Sequence, residues 1–391
     1  LIVLLLMVLG ISHMLITSRT SGGNPEVERQ RKTFEALVQS KQALIAWSIM
    51  EGDMGTSTYP RSGVLPCPDN NLFGSAASGG ASGSCSVSGG TSVGRLPWKS
   101  IGVDRLRDAD GEVLWYAVSD NFRSRTDHNK AAVNSDTRGT LRLYAADGIT
   151  LATPSGEELA AVIFAPGPPL PGQNRTAESA EFTGNKIVSA YLEAFNGKNN
   201  ASAAGPFIMG PVKDSVGDLV VNDLVIGLTA RELIAAMEKR ALNEAQKALS
   251  QFDTLPKPAP HDDPSCTSLI TNVTEAVVPC TNNGSSTCFG RLPENALSDH
   301  VPPWFIQNGW GRVMVYAIND AGAGCTTPLN VGETPKRYVL FAPGPARQGQ
   351  SRPSFSLSDY LEDTANTDGW LGDFDFVVPG GESNDQLRTS P

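Results

Sequence analysis

"VIFAPGPPLPGQNR", from Val162 to Arg175, returns later in the chain as "VLFAPGPARQGQSR", from Val339 to Arg352. Each copy is an apolar run stopped by Ala-Pro-Gly-Pro and closed by Gly-Gln-x-Arg. Other pairs follow in the same order. "LPCPD" (Leu65 to Asp69) is matched to "VPC" (Val278 to Cys280), and "GRLPW" (Gly94 to Trp98) to "GRLPE" (Gly290 to Glu294). "DADGEVLWYAVSD", ending at Asp120, answers "NGWGRVMVYAIND", ending at Asp320. After the FAPGP runs, "AYLEAFNG" (Ala190 to Gly197) answers "DYLEDTAN" (Asp359 to Asn366), and "GDLVVNDLVIGL" (Gly217 to Leu228) is matched to "GDFDFVVPGG" (Gly372 to Gly381). One module is written twice.

"VLWYAV" and "VMVYAI" are continuous apolar runs bounded by polar or glycine residues, as central strands are. The FAPGP runs end at prolines, which cannot continue a ladder. Two helices precede these strands. Asn24 can cap a helix with Pro25 in its first turn and Glu26 and Glu28 at its positive end. Phe34, Leu37, Val38, Lys41, Leu44, Ile45 and Ser48 then share one face of it. "TARELIAAMEKRALNEAQKALSQF" opens with a Thr229/Glu232 capping box and places Ile234, Met237, Ala241, Ala245, Ala248 and Phe252 at helical spacing. Helix set before strands gives an α+β class.

The bulk numbers agree with such a chain. At 391 residues it is long enough for two or three domains. Abundant Gly and Pro (39 and 27 residues) favour short strands and long ordered loops over bundled helices. A net charge of −10 argues against a general nucleic-acid binder, because phosphates need a basic surface.

The N-terminal "LIVLLLMVLGISHMLITS" departs from that composition, with His13 its only ionisable residue before Arg19. Seventeen helical residues reach about 25 Å, slightly short of a hydrocarbon core of about 30 Å. No small-residue cleavage site follows Thr17 before Gly22-Gly23, so the segment reads as a retained membrane or assembly helix; a cleaved signal peptide is the alternative. Leu1, Leu5, Val8, Leu9, Met14 and Ile16 are its assembly residues, and Gly22, Gly23 and Pro25 mark a break before the next helix.

An apolar N-terminal helix that runs into an amphipathic one and then a small sheet resembles the type IV pilins and pseudopilins. "NGWGRVMVYAI" is similar to the pseudopilin stretch in which a Trp-Gly turn enters an aromatic strand, and "DADGEVLWYAV" is a variant with Asp110 at the Trp position. Leu5 stands where the family usually carries a glutamate. The resemblance implies a long N-terminal hydrophobic and amphipathic helix followed by two tandem helix-plus-antiparallel-sheet pilin-like units. Residues 1–50 would be the spine helix, 51–228 the first unit and 229–391 the second, with its own helix at 229–252. It also implies a homo-oligomeric helical filament packed through the N-terminal helix. The chain would wait in the bacterial inner membrane, engage the pilus or secretion assembly machinery, and end in an extracellular filament on the cell surface. The alternative is a minor pilin, pseudopilin or membrane-anchored surface adhesin.

No residues are nominated for catalysis, cofactor or metal. "GTSVG" (Gly90 to Gly94) matches G-x-S-x-G, but a Gly/Ser-rich loop precedes Ser92 where a nucleophile elbow needs a strand. His13, His128, His261 and His300 lie far apart in sequence. Asp104, Asp108, Asp110 and Glu112 form an acidic loop without EF-hand spacing, which an ordinary turn explains. Sequons occur at Asn174, Asn200, Asn272 and Asn283. Six cysteines without a CxxC point to disulfides. The repeat landmarks favour Cys67–Cys85, Cys280–Cys288 and Cys266–Cys325.

Overall fold

The structure, a computed structural model, describes residues 24–53, 62–83, 85, 93–124, 132–153, 157–175, 188–203, 205–267, 279–367, 374–381 and 383–390. Leu1, Leu5, Val8, Leu9, Met14, Ile16, Gly22 and Gly23 lie outside those residues, as do Ser92, His13, His128 and Asn272.

Helix α1 (Pro25–Met50) begins where its capping signals place it, with Asn24 Oδ1 accepting the Glu26 N–H at 3.1 Å and Pro25 at the first position. Strands β1 (Val93–Arg95), β2 (Trp115–Val118), β3 (Leu159–Ala165) and β4 (Leu224–Thr229) pair antiparallel in that order. Helix α2 (Ala230–Leu249) follows β4 directly, its capping box complete at Thr229 and Glu232. A second antiparallel sheet is ordered β5 (Phe289–Arg291), β6 (Val315–Ile318), β7 (Tyr338–Ala342) and β8 (Gln386–Thr389). The registers of the two sheets match pair for pair. Gly94 faces Tyr116 as Gly290 faces Tyr316, and Trp115 faces Phe164 as Val315 faces Phe341. Leu224 faces Ala165 as Gln386 faces Ala342.

The fold expected from the family resemblance is nevertheless corrected. Among the described residues no long hydrophobic helix heads two helix-plus-antiparallel-sheet pilin-like units. The chain is mixed α and β, with several small sheets around the two large ones. Two of these contain parallel pairs, Leu143–Tyr144 with Phe207–Ile208 and Asn330–Val331 with Asp375–Phe376. Among the described residues no helix is long and apolar enough to cross a membrane. The composition of α1 explains this, since its buried stripe is Thr33, Ala36, Leu37, Ser40, Leu44 and Ser48. Those mostly small residues bring the helix close to β3 and β4. The expected face is therefore rotated: Phe34 is 44% exposed, and Lys41 lies at the margin of the sheet, donating to Gly227 O of β4 at 3.0 Å and pairing with Glu232 at 2.6 Å.

The core does not divide at residue 229. Ala230, Leu233 and Ile234 of α2 pack with the first sheet's core. Met237 through Leu249 of the same helix pack with the second, among Trp304, Trp310, Tyr316 and Phe341. One helix serves two cores.

Two alignments of the repeat are corrected as well. Asp69 bridges Arg95 with paired backbone hydrogen bonds, and the residue doing so opposite Arg291 is Ala259. "LPKPAPH" (255–261) is thus the counterpart of "LPCPDN" (65–70), and Val278 to Cys280 is not. Similarly, the counterpart of Asn222-Asp223 and β4 is Asn384-Asp385 and β8, rather than Gly372 to Gly381.

The first correction overturns two of the expected disulfides. Cys67 bonds Cys85, but Cys266 bonds Cys280 and Cys288 bonds Cys325. Lys257 occupies the place of Cys67 in the second half, so that half has no equivalent bridge. Cys280 is drawn elsewhere, its N–H donating at 2.9 Å to the buried Glu294 carboxylate.

Candidate functional site

The most elaborate polar construction is the one written twice, around the two Ala-Pro-Gly-Pro loops. Each strand ends at a proline, and the chain turns through a glycine at positive φ, Gly167 at 61° and Gly344 at 63°. A side chain there would be strained and, at Gly344, would sit 2.5 Å from Asn384 Nδ2. Gln173 Oε1 accepts the Leu170 N–H at 2.8 Å, as Gln350 Oε1 accepts that of Arg347 at 2.8 Å.

Arg175 and Arg352 then fasten the loops. Arg175 Nη1 donates to Gly167 O at 2.7 Å and its guanidinium lies 4.8 Å from the Tyr191 ring centre. Arg352 Nη1 donates to Gly344 O at 2.6 Å and lies 4.7 Å from the Tyr360 ring. Asn222 Nδ2 donates to Pro168 O at 2.6 Å, and Asn384 Nδ2 to Pro345 O at 2.7 Å.

A carboxylate from each Tyr-Leu-Glu triplet completes the cradle. Glu193 Oε2 accepts the Asn222 N–H at 3.1 Å, and Glu362 Oε2 accepts the Asn384 N–H at 3.2 Å. The backbone N–H groups of Glu193 and Glu362 donate to Asp223 and Asp385, at 3.1 and 3.3 Å. Burial, and then the charge of Glu362, push the Asp385 carboxyl up to about 8. Asp223 is raised well above the usual range for the same two reasons, burial first and Glu193 second.

The cradles differ in what faces the arginine. Arg175 pairs with Glu112 at 3.1 Å, within the first half of the chain. Arg352 faces Asp136, which belongs to that first half, at 3.8 Å. Around it, Arg291 is fully buried and stacks 3.8 Å from the Tyr360 ring. Glu238 of α2 is also fully buried, accepting Ser135 Oγ–H at 2.5 Å and Gln386 Nε2 at 3.3 Å. Burial raises Glu238 to about 7. Asn308, the counterpart of Asp108, reaches across to the first half as well, donating to Ser62 O at 2.7 Å.

The other candidate residues resolve into local structure. Asp108 Oδ1 accepts the Asp110 and Glu112 N–H groups at 2.9 Å, and its Oδ2 accepts Gly167 N–H at 2.9 Å. It is a turn residue that also docks the first loop. Asp110 pairs with Arg29 of α1. Among the described residues no group of three His, Cys, Asp or Glu could hold a metal ion. His300 Nδ1 is 3.2 Å from Gln251 Oε1 and packs on Phe252, while burial lowers His261 below the usual histidine range. Asn200 is fully buried with its amide bonded to Ile208 and Asp223, so its sequon offers no accessible nitrogen.

The Gly-Gln-x-Arg and Tyr-Leu-Glu halves of the cradle were visible in the repeat. The Asn-Asp pair was not, because it was matched to the wrong stretch. Compared with family models, with curated proteins and with solved structures, the chain matches none.

Proposed function

We propose that this chain is a structural subunit of an extracellular filament of the type IV pilus kind, with no catalytic role. The observation that carries the reading is a predominantly apolar run, Leu1 to Thr17, broken only by Ser12 and His13, ahead of a head closed by three disulfides. Such a run is costly to expose to water and is relieved by a membrane or by copies of itself. Disulfides persist in oxidising compartments, which favours export. Two exposed apolar residues, Val27 and Phe34, continue along α1 on a side turned away from the sheet, where a neighbouring subunit would cover them. The proposal concerns role, and it does not require a helix-rich pilin fold.

In this reading the chain resides in the inner membrane before assembly and is handed to the filament by an assembly machinery. Replacing Leu5 or Val8 with Asp tests it, because an unpaired carboxylate in a dry spine costs several kcal/mol. The expected result is a chain with a folded head that forms no fibres. Normal fibres from Leu5→Asp would refute the assembly role.

A further inference from the structure

In each cradle two acidic side chains meet, and among the described residues neither is held in an ion pair. Asp223 Oδ2 accepts from Glu193 N–H and, at 2.8 Å, from Asn200 Nδ2, while its buried Oδ1 finds no donor among the described residues. Asp385 repeats the pattern, with Oδ2 taking the Glu362 N–H and a buried Oδ1 left over. Reciprocal backbone bonds set the two carboxyls of each pair side by side, the Asp on the N–H of the Glu and the Glu on the N–H of the Asn that precedes the Asp. Two carboxylates so placed repel, since neither has a hydrogen to give. One proton resolves both difficulties. It occupies the orphaned Asp oxygen and is donated to the Glu.

We propose that Glu193–Asp223 and Glu362–Asp385 are proton-sharing acid pairs that serve as twin latches, holding the Ala-Pro-Gly-Pro loops to strands β4 and β8 until the shared proton is lost to solvent. Position supports this, because Asp223 and Asp385 immediately precede those strands, and Asn222 and Asn384 are the residues that grip the loops. The cations facing the pairs are divided among several partners. Arg175 favours the charged form of Glu193 but is also engaged by Glu112 and by the carbonyls of Gly167 and Ala190. Arg352 is shared among Asp136, Tyr360, Glu238, Glu362 and the Gly344 carbonyl, with Arg291 beside it as a second positive charge. Gln173, Asn200 and Ser383 are neutral donors.

The two latches differ in consequence. Strand β4 is paired along six residues and runs straight into α2, so opening its latch frees the loop but not the strand. Strand β8 is a four-residue, half-buried edge strand, so opening its latch loosens the strand itself.

Hydrogen exchange on the full chain in detergent micelles tests this, with rates corrected for the intrinsic effect of pH. Protection of the Leu387 to Thr389 amides is expected to fall about tenfold between pH 6 and pH 9 in the wild type, equivalent to about one pKa unit of latch energy. Asp385→Asn can donate to Glu362 but cannot ionise, and is expected to show less than a third of that fall. Equal protection at both pH values, or an undiminished fall in Asp385→Asn, would overturn the proposal. So would restoration of protection at pH 9 by calcium, which would assign the pair to a cation. Should the variant fail to fold, infrared spectra decide, taken on a Glu238→Gln/Glu294→Gln background that removes the two other carboxyls raised to about 7. A protonated-carboxyl band present there at pH 6 and lost by pH 10 supports the latch, and its absence at pH 6 overturns it.

Discussion

Arg352 and Asp136 face each other at 3.8 Å across the two halves of the chain, with the arginine side chain only 1% exposed. Its counterpart Arg175 takes its carboxylate, Glu112, from its own half. The second half therefore borrows a charge from the first. Arg291 draws on the same carboxylate, because Ala259 stands where Asp69 pairs with Arg95 in the first half at 3.3 Å.

Removing that carboxylate takes from two buried guanidiniums the carboxylate they share. Breaking a buried pair from one side costs about 3–5 kcal/mol. Asp136→Ala is accordingly expected to lose about that much stability in denaturant unfolding, whereas Glu112→Ala, whose carboxylate is more exposed, should lose about 1 kcal/mol or less. Equal losses would mean that Asp136 carries no special burden.

Peptide mapping under non-reducing conditions should return Cys67–Cys85, Cys266–Cys280 and Cys288–Cys325. These bridges span 18, 14 and 37 residues. On the chain-entropy model they contribute about 3, 3 and 4 kcal/mol, so replacing Cys288 and Cys325 together by Ser should destabilise most. A Cys280–Cys288 peptide would restore the pairing expected from the repeat landmarks.

Stability should fall as the pH rises. Burial raises Glu238 and Glu294 to about 7, against about 4.5 in an unfolded chain. Between these values the native state holds protons that the unfolded state has released. Each group's contribution is thus full below about pH 4.5 and gone once the pH passes about 7. Each is worth on the order of 3 kcal/mol over that window. In Glu238→Gln the neutral amide keeps the contacts to Ser135 and Gln386, and about half of the two groups' combined loss should vanish. Thermal midpoints measured from pH 4.5 to pH 8 check this, and a wild-type midpoint that does not fall would contradict it.

Much of the architecture was legible because duplication supplies its own control. Tyr116 and Tyr316, or Arg175 and Arg352, declare their equivalence in sequence and occupy equivalent places. Legibility failed where the copies differ in length between landmarks. Val278 to Cys280 shares a Pro-Cys step with Leu65 to Asp69, yet the ladder opposite Arg291 is made by Ala259, which shares with Asp69 only the Leu-Pro-x-Pro before it. Strand β8 escaped notice because Gln386, Leu387, Arg388 and Thr389 are half-buried and largely polar. The buried face of α1 departs from its hydrophobic spacing for a related reason. Hydrophobic spacing favours Phe34, but close packing on a sheet selects Thr33, Ala36 and Ser40. Asp136, Glu238 and Arg291 carry no local pattern at all, and only the meeting of two cores on one helix brings them together.

The role proposed for the chain is tested most directly by electron microscopy of material sheared from the cell surface and labelled with antibody against the 229–391 region. Continuous fibres decorated along their whole length are the expected result. Label confined to fibre tips would favour the minor-subunit or adhesin alternative, and antigen dispersed without any fibre would contradict the filament role.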